Sequence, residues 1–135
     1  MNFNLKNLPK REKKPRSKGI TMVIDKGSSV QQCKNLIESS SEYFDVIKFG
    51  WTTSNFMNNL KKKIKLFKDA DINVYFGGTL FEAFAIRSQI DDYISILKEY
   101  DLNLAEVSDG SISIPHKKNV NTLKSFQNML QYFQK

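Results

Sequence analysis

Four times along the chain, a short apolar run rich in β-branched and aromatic residues gives way to a longer stretch of helical period, and no other feature restricts the fold so tightly. The runs are Ile20 to Ile24, Phe44 to Phe49, Ile72 to Phe76 and Asn103 to Val107, each with the composition of a strand. The spacing between and after them predicts helices over Ser29 to Ser39, Asn55 to Asp69, Leu80 to Tyr100 (with Ser88 a candidate break point) and Lys118 to Phe133. Such alternation requires a parallel sheet with right-handed crossovers, so the expected class is α/β. Four units fit two architectures. One is a small open α/β sheet; the other is the first four βα units of a TIM (β/α)8 barrel, which uses eight units in roughly 250 residues. A half barrel leaves an unpaired strand at each side, so it is expected either to form a homo-oligomer or to need a missing C-terminal half.

Composition removes several classes. The 135 residues are 40% hydrophobic and 26% charged, a globular balance that excludes collagenous and disordered chains. No apolar run approaches the roughly 18 to 20 residues of a membrane span, and the polar, basic N-terminus lacks the apolar core of a signal peptide. The expected compartment is therefore the cytoplasm, with no membrane partner. The single cysteine, Cys33, precludes an intrachain disulfide, and with the single histidine, His116, it cannot assemble a zinc site of Cys and His ligands. Cys33 falls within the first helix as a small buried hydrophobe, and His116 reads as a surface residue at the start of the last helix.

The formal charge of +7 is unevenly placed. Residues 1–18 hold seven basic residues against Glu12 alone, whereas residues 19–135 hold 14 basic and 13 acidic. Residues 1–18 therefore read as a basic, solvated leader and residues 19–135 as the folded unit, with no specific nucleic-acid partner expected. Within the second helix, Phe56, Leu60, Ile64 and Phe67 form an apolar stripe, which leaves Lys61, Lys62, Lys63, Lys65 and Lys68 mostly on the wet side. Phe126, Leu130 and Phe133 make a comparable core stripe in the last helix.

Parallel sheets bind ligands at the carboxyl ends of their strands, and there the polar chemistry collects. The first strand runs into Asp25, Lys26 and Gly27; the second carries Lys48 and exits through Gly50 and Trp51 to Thr52; the third exits into Gly77, Gly78 and Thr79, with Glu82 one turn on. The fourth carries Glu106 and ends in Ser108, Asp109 and Gly110. Gly77-Gly78-Thr79 before a helix offers free backbone amides to a phosphate or carboxylate, or is simply a tight turn. Lys48, inside an otherwise apolar strand, needs an anionic partner there unless it snorkels to the strand end. Asp25 and Glu106 suit magnesium with oxygen-rich ligands, or alternatively ion pairs with Lys26 or Lys48.

These stretches resemble the phosphosulfolactate synthase family. The matching segments are Pro15-Arg16 with Gly19 to Gly27, Asp45 to Trp51, Gly77 to Glu82 and Glu106 to Ser111. The resemblance runs from Pro15 to the last helix and covers about the first half of the family's (β/α)8 barrel. It implies a lyase that adds sulfite to phosphoenolpyruvate with Mg2+, giving phosphosulfolactate for coenzyme M or sulfolactate biosynthesis. It further implies that Lys48 holds phosphate or carboxylate, that Asp25 and Lys26 join it in catalysis, and that Glu106, with Asp25, faces the metal. Gly78 and Thr79 would seat an anionic group, with Arg16, Glu82, Ser108 and Asp109 as further substrate-binding residues. The family usually has glycine where this chain has Thr52, so this loop must take a conformation open to a side chain. Strands five to eight, which in the family supply further acidic residues and a lysine proposed as general acid, have no counterpart here. The family is also similar to plant heat-stress-associated proteins, which makes a non-catalytic, protein-binding module the alternative reading. A phosphate or nucleic-acid binder using the leader ranks behind both.

Overall fold

The computed structural model describes residues 3–113 and Lys124, and within them three strands and four α-helices follow one another as expected for an α/β chain. Strand β1 (Met22–Asp25) leads to helix α1 (Val30–Ser40), β2 (Val46–Phe49) to α2 (Leu60–Asp69), and β3 (Asn73–Phe76) to α3 (Gly78–Ala85) and α4 (Ile90–Glu99). The sheet is wholly parallel in the order β1-β2-β3. Its register places Ile24, Lys48 and Tyr75 in one row across the sheet, and Asp25, Phe49 and Phe76 in the next.

Those rows face opposite ways, because successive side chains of a strand alternate between faces. Ile47, Phe49, Val74 and Phe76 are buried in the core with Ile64 and Phe67 of α2 and Leu97 of α4. Phe49 meets Phe67 edge-on at 6.3 Å between ring centroids, and Phe76 meets Tyr100 in the same way at 6.0 Å. Each such fully buried side chain stabilises the fold by roughly 1.5–3 kcal/mol. On the other face Met22 and Ile24 stay 42% exposed, and Ile20 just before them 57%. Helices therefore cover one face of the sheet and leave apolar residues of the other uncovered.

Local chemistry sets the helix ends. Ser29 caps α1 through the amide of Gln32, whose side chain accepts from the Ser29 amide in return, a capping box that satisfies two otherwise orphaned donors. The stretch expected as one helix over Leu80 to Tyr100 is two, and the break comes where Ser88 takes a left-handed conformation (φ 58°). Helix α2 begins at Leu60 and not at Asn55, because Asn59 is left-handed (φ 60°) and a short 3-10 turn covers Thr53–Asn55. Phe56 thereby leaves the apolar stripe and stands 80% exposed.

Three further expectations are corrected or bounded. Lys63 is fully buried, not on the wet side of α2, whereas Lys61, Lys62, Lys65 and Lys68 are exposed as expected. The segment expected as the fourth strand, Asn103–Val107, has no strand assignment. Leu102, Ala105 and Val107 pack on the core and Glu106 reaches Lys48, so side chains hold this segment where a backbone ladder was expected. The last predicted helix lies, Lys124 apart, outside the described residues, as does His116.

The leader is tied to the amino ends of the strands. Arg11 donates to the Tyr43 carbonyl (2.9 Å) and the Thr21 hydroxyl (2.7 Å), and Lys14 donates to the Ser41 carbonyl (3.0 Å). Arg16 pairs with Asp45 at 2.6 Å. Asp45 also accepts from the Thr21 amide at 2.8 Å. Burial would raise the Asp45 carboxyl, but the Thr21 amide, Arg16 and Arg11 outweigh it and hold it below the usual aspartate value.

Candidate active site

At the carboxyl ends of β2 and β3, the two glycines at the start of α3 decide what can stand close together. A Cβ at Gly77 would sit 3.0 Å from Lys48 Cε and 3.1 Å from the Phe49 carbonyl. A Cβ at Gly78 would collide with Ser108 Cβ at 2.4 Å and crowd Glu106 Oε1 at 3.2 Å. Only the lack of side chains lets the 106–108 segment and the Lys48 side chain lie against the start of α3. The cap residue of α3 is Gly77, which has no side chain to cap the amides of the first turn.

Lys48 and Glu106 meet there. Lys48 Nζ donates to Glu106 Oε1 at 2.9 Å, and Oε2 is 2.7 Å from the same nitrogen. Both side chains are partly covered, 20% and 33% exposed, and the ammonium stands 6.0 Å from the Tyr75 ring centroid. Oε2 is itself out of contact with water and, this ion pair apart, has no polar partner among the described residues. Burial raises the Tyr75 phenol above its ordinary value, with Lys48 opposing the shift and Glu106 adding to it.

Glu82, buried at 2% exposure, joins the cluster from α3. It accepts from the Ser108 hydroxyl at 2.5 Å and from the Ser111 amide at 3.2 Å, so it pins the loop after Val107. Burial pushes its carboxyl up, but Ser108 and the amides of Ser111 and Gly110 pull it below the usual glutamate value. Thr79 is half-buried in the first turn of α3, and Asp109 is exposed on the same loop as Ser108. Of the residues singled out from the sequence, Lys48, Gly78, Glu82, Glu106 and Ser108 thus form one contact group.

Asp25 and Lys26 belong to a second group beside it. The Asp25 carboxylate points to the helix side of the sheet, where it pairs with Lys63 at 2.6 Å and accepts the amides of Gly27 and Ser28, both at 2.7 Å. It pairs with neither Lys26 nor Lys48. Burial would raise its carboxyl, and Lys63 with the two amides holds it below the usual value instead. Lys26 is exposed, with its ammonium 4.9 Å from the Trp51 ring centroid. A cavity of about 650 Å³ opens between the β1–α1 turn and the loop after β2, with Gly27, Ser28, Trp51, Thr52 and Met57 among its walls. Trp51, at φ 50°, takes the left-handed conformation of this loop, and Thr52 sits at φ −101°, which any side chain accepts.

Arg16 is not brought to either group. It lies at the amino ends of the strands, bound to Asp45 and to the Glu42 carbonyl at 2.6 Å each, across the length of the sheet from Lys48. Sequence reasoning passed over Lys63, Asp45 and Trp51. For Lys63 a signal existed: it is three residues after Leu60 and four before Phe67, on the apolar stripe itself.

Comparison with known proteins gives the family. Residues 9–135 match the family model of (2R)-phospho-3-sulfolactate synthase (ComA). The chain is 34% identical over 119 residues to the phosphosulfolactate synthase of Bacillus subtilis, covering 88% of this chain and 47% of that protein. It is 37% identical over 108 residues to the phosphosulfolactate synthase of Methanothermobacter thermautotrophicus (78% of this chain, 42% of that protein), and 34% identical over 109 residues to that of Methanocaldococcus jannaschii (79% and 43%). The chain therefore spans less than half the length of these relatives. With residues 9–135 matched by the family model and relatives 34% and 37% identical over 88% and 78% of its length, the chain belongs to the (2R)-phospho-3-sulfolactate synthase family.

Proposed function

We propose that the chain serves the addition of sulfite to phosphoenolpyruvate in the cytoplasm, as the first units of a (β/α)8 barrel. The observation that carries this reading is the Lys48–Glu106 pair beneath the uncapped, glycine-lined start of α3. The barrel part is supported by the parallel sheet and by Met22, Ile24 and Leu104, which stay exposed where a closed barrel would pack its interior. Closure would come from a second copy or from a C-terminal half.

The chemistry asks for cations. Attack of the sulfite sulfur on C3 of phosphoenolpyruvate forms the C–S bond and moves the alkene electron pair to C2, next to a carboxylate and a phosphate ester. C2 then takes a proton from an acid. In this reading Lys48 binds the phosphate or the carboxylate, and Glu106 keeps its ammonium aimed at the mouth of the sheet. The first amides of α3, at Gly78 and Thr79, receive a second anionic group at the positive end of the helix. Glu82 holds Ser108 and with it the loop bearing Asp109, while Lys26 adds positive charge from the β1–α1 turn.

The residues also fit a magnesium ion. Glu106 Oε2, which pairs with the Lys48 ammonium at 2.7 Å and has no other polar partner among the described residues, is the carboxylate oxygen that would reach the ion, beside two glycines whose neighbours leave no room for a side chain. Among the described residues no three His, Cys, Asp or Glu side chains converge as a ready-made metal cage. Magnesium commonly takes one or two carboxylates and completes its shell with water and substrate oxygens, so Glu106 would be its ligand from this chain. Bound there, the ion would supply positive charge for the dianion that develops at C2 and the carboxylate.

Phosphorus NMR of the chain with phosphoenolpyruvate, sulfite and Mg2+ tests the reading, alone and with the C-terminal half of the Bacillus subtilis relative added in trans. A new phosphomonoester signal that Lys48→Ala abolishes is the expected result. No new signal in either mixture, with no phosphoenolpyruvate bound, would sink it.

A further inference from the structure

Lys63 is the one fully buried lysine among the described residues, and its surroundings give that charge a task. Its ammonium meets Asp25 Oδ2 at 2.6 Å, the Ser28 carbonyl at 2.7 Å and Met57 Sδ at 2.8 Å, and lies 5.0 Å from the Phe49 ring centroid. Asp25 Oδ1 takes the amides of Gly27 and Ser28. The pair therefore grips the β1–α1 turn by two amides and one carbonyl, and anchors it to α2. A well-packed apolar pair would fill the same space at comparable stability, but it could not orient the turn's backbone.

The turn that the pair grips carries one partner of a contact at the mouth of the site, and the Asp25 backbone holds the other. Lys26 lies between Asp25 and Gly27, whose φ of 114° only glycine adopts without strain, so the path of the turn sets where the Lys26 side chain departs. Trp51 follows Gly50, whose amide donates to the Asp25 carbonyl at 2.8 Å. Both partners of the Lys26–Trp51 contact thus hang from Asp25, one through the turn and one through the sheet.

We propose that Lys63 and Asp25 are positioning residues, a buried ion pair on the helix side of the sheet that sets where the Lys26 ammonium stands over Trp51 at the mouth of the candidate site. The proposal rests on the function above only in taking Lys26 for a group that binds the anionic substrate.

Trp51 is the chain's one tryptophan, so its emission reads this contact without a ligand. The experiment compares quenching of Trp51 by iodide, which a nearby cation attracts, with quenching by neutral acrylamide in the full chain. Lys26→Met should lower the iodide-to-acrylamide ratio about twofold at moderate salt. Removing both buried charges together (Asp25→Asn with Lys63→Met) should lower it to the same value while the thermal transition persists, and adding Lys26→Met to that background should change nothing further. A ratio unmoved by the double variant would overturn the proposal, as would an equal effect of Lys26→Met in both backgrounds or no effect in the wild type. Should the double variant not fold, Asp25→Asn alone decides, and an unchanged ratio there overturns the proposal too. Phosphoenolpyruvate titrated with Mg2+ forms a separate arm, in which Lys26→Met and the double variant should each weaken binding about tenfold. A wild-type chain that ignores phosphoenolpyruvate would count against the proposed function, and the quenching comparison would still decide the positioning role.

Discussion

Replacing Arg16 with alanine separates a clamp from a substrate contact. The guanidinium makes three hydrogen bonds, to Asp45 Oδ1 at 2.6 Å, the Glu42 carbonyl at 2.6 Å and the Glu12 carbonyl at 2.8 Å, and its side chain is 6% exposed. A hydrogen bond to a charged group contributes about 1.5–3 kcal/mol, and breaking a deeply buried pair costs about 3–5 kcal/mol. Here Arg16 belongs to the leader, whose other residues are mostly exposed. Once Arg16 is gone, water reaches Asp45, which keeps the Thr21 amide at 2.8 Å and Arg11 at 3.5 Å, and the released leader regains backbone entropy. The net cost should therefore fall near the lower figure, about 2 kcal/mol. With an unfolding entropy of about 2.1 cal/mol/K per residue, that lowers Tm by about 7 °C for a chain of this length. Thermal unfolding followed by circular dichroism measures the shift, and trypsin should cut after Arg11 and Lys13 sooner than in the wild type. An unchanged Tm together with lost phosphoenolpyruvate binding would refute the clamp and restore Arg16 to the substrate.

Gly78→Ala should displace the 106–108 segment, because its Cβ would lie 2.4 Å from Ser108 Cβ; the expected cost is about 1–3 kcal/mol in a urea melt, with the Lys48–Glu106 pair disrupted. Asp25, Asp45 and Glu82 all titrate below their unfolded values of 3.8, 3.8 and 4.5, so between folded and unfolded values the unfolded chain binds more protons. Their stabilisation is complete above the unfolded values and is lost as pH falls through the folded ones, so the urea midpoint should hold from about pH 7 to 5 and drop below about pH 4. Burial, with Lys63 opposing and Asp25 reinforcing, pushes the Cys33 thiol up to about 11, so iodoacetamide at pH 8 should leave it unmodified until urea unfolds the chain.

Much of this layout is legible in the residues. The strand-to-helix alternation, the break at Ser88, the burial of Cys33 and the gathering of Lys48, Gly78 and Glu106 at one end follow from spacing and turn chemistry. What was not legible has a common cause: residue type outweighed position. Lys63 stands in a run of three lysines whose charge points to solvent, though the helical period puts it on the stripe with Leu60 and Phe67. Phe56 is apolar enough to suggest the core, though Asn58 and Asn59 favour a turn and keep the helix from reaching it. The Asn103–Val107 segment has strand-like residues, but strand structure needs a ladder and depends on partners elsewhere in the chain.

Parity along the strands divides the two charged residues that looked alike. Asp25 ends β1 and Lys48 sits one position before the end of β2, and in sequence each interrupts an apolar run at a carboxyl end. The register aligns Asp25 with Phe49 and Phe76, the row that faces the helices, and Lys48 with Ile24 and Tyr75, the row that faces away from them. A charge in the first row is met only by other helix-side groups, and Asp25 finds its partner in Lys63 of α2. A charge in the second row is left to whatever approaches the open face, and Lys48 reaches past Tyr75 to a carboxylate on the loop after α4. A one-residue slip of β2 would exchange these environments, putting Lys48 among the core phenylalanines and Phe49 at the mouth. The assignment of Asp25 to holding the turn and of Lys48 to meeting an anion thus rests on sheet register, which strand-end position alone does not reveal.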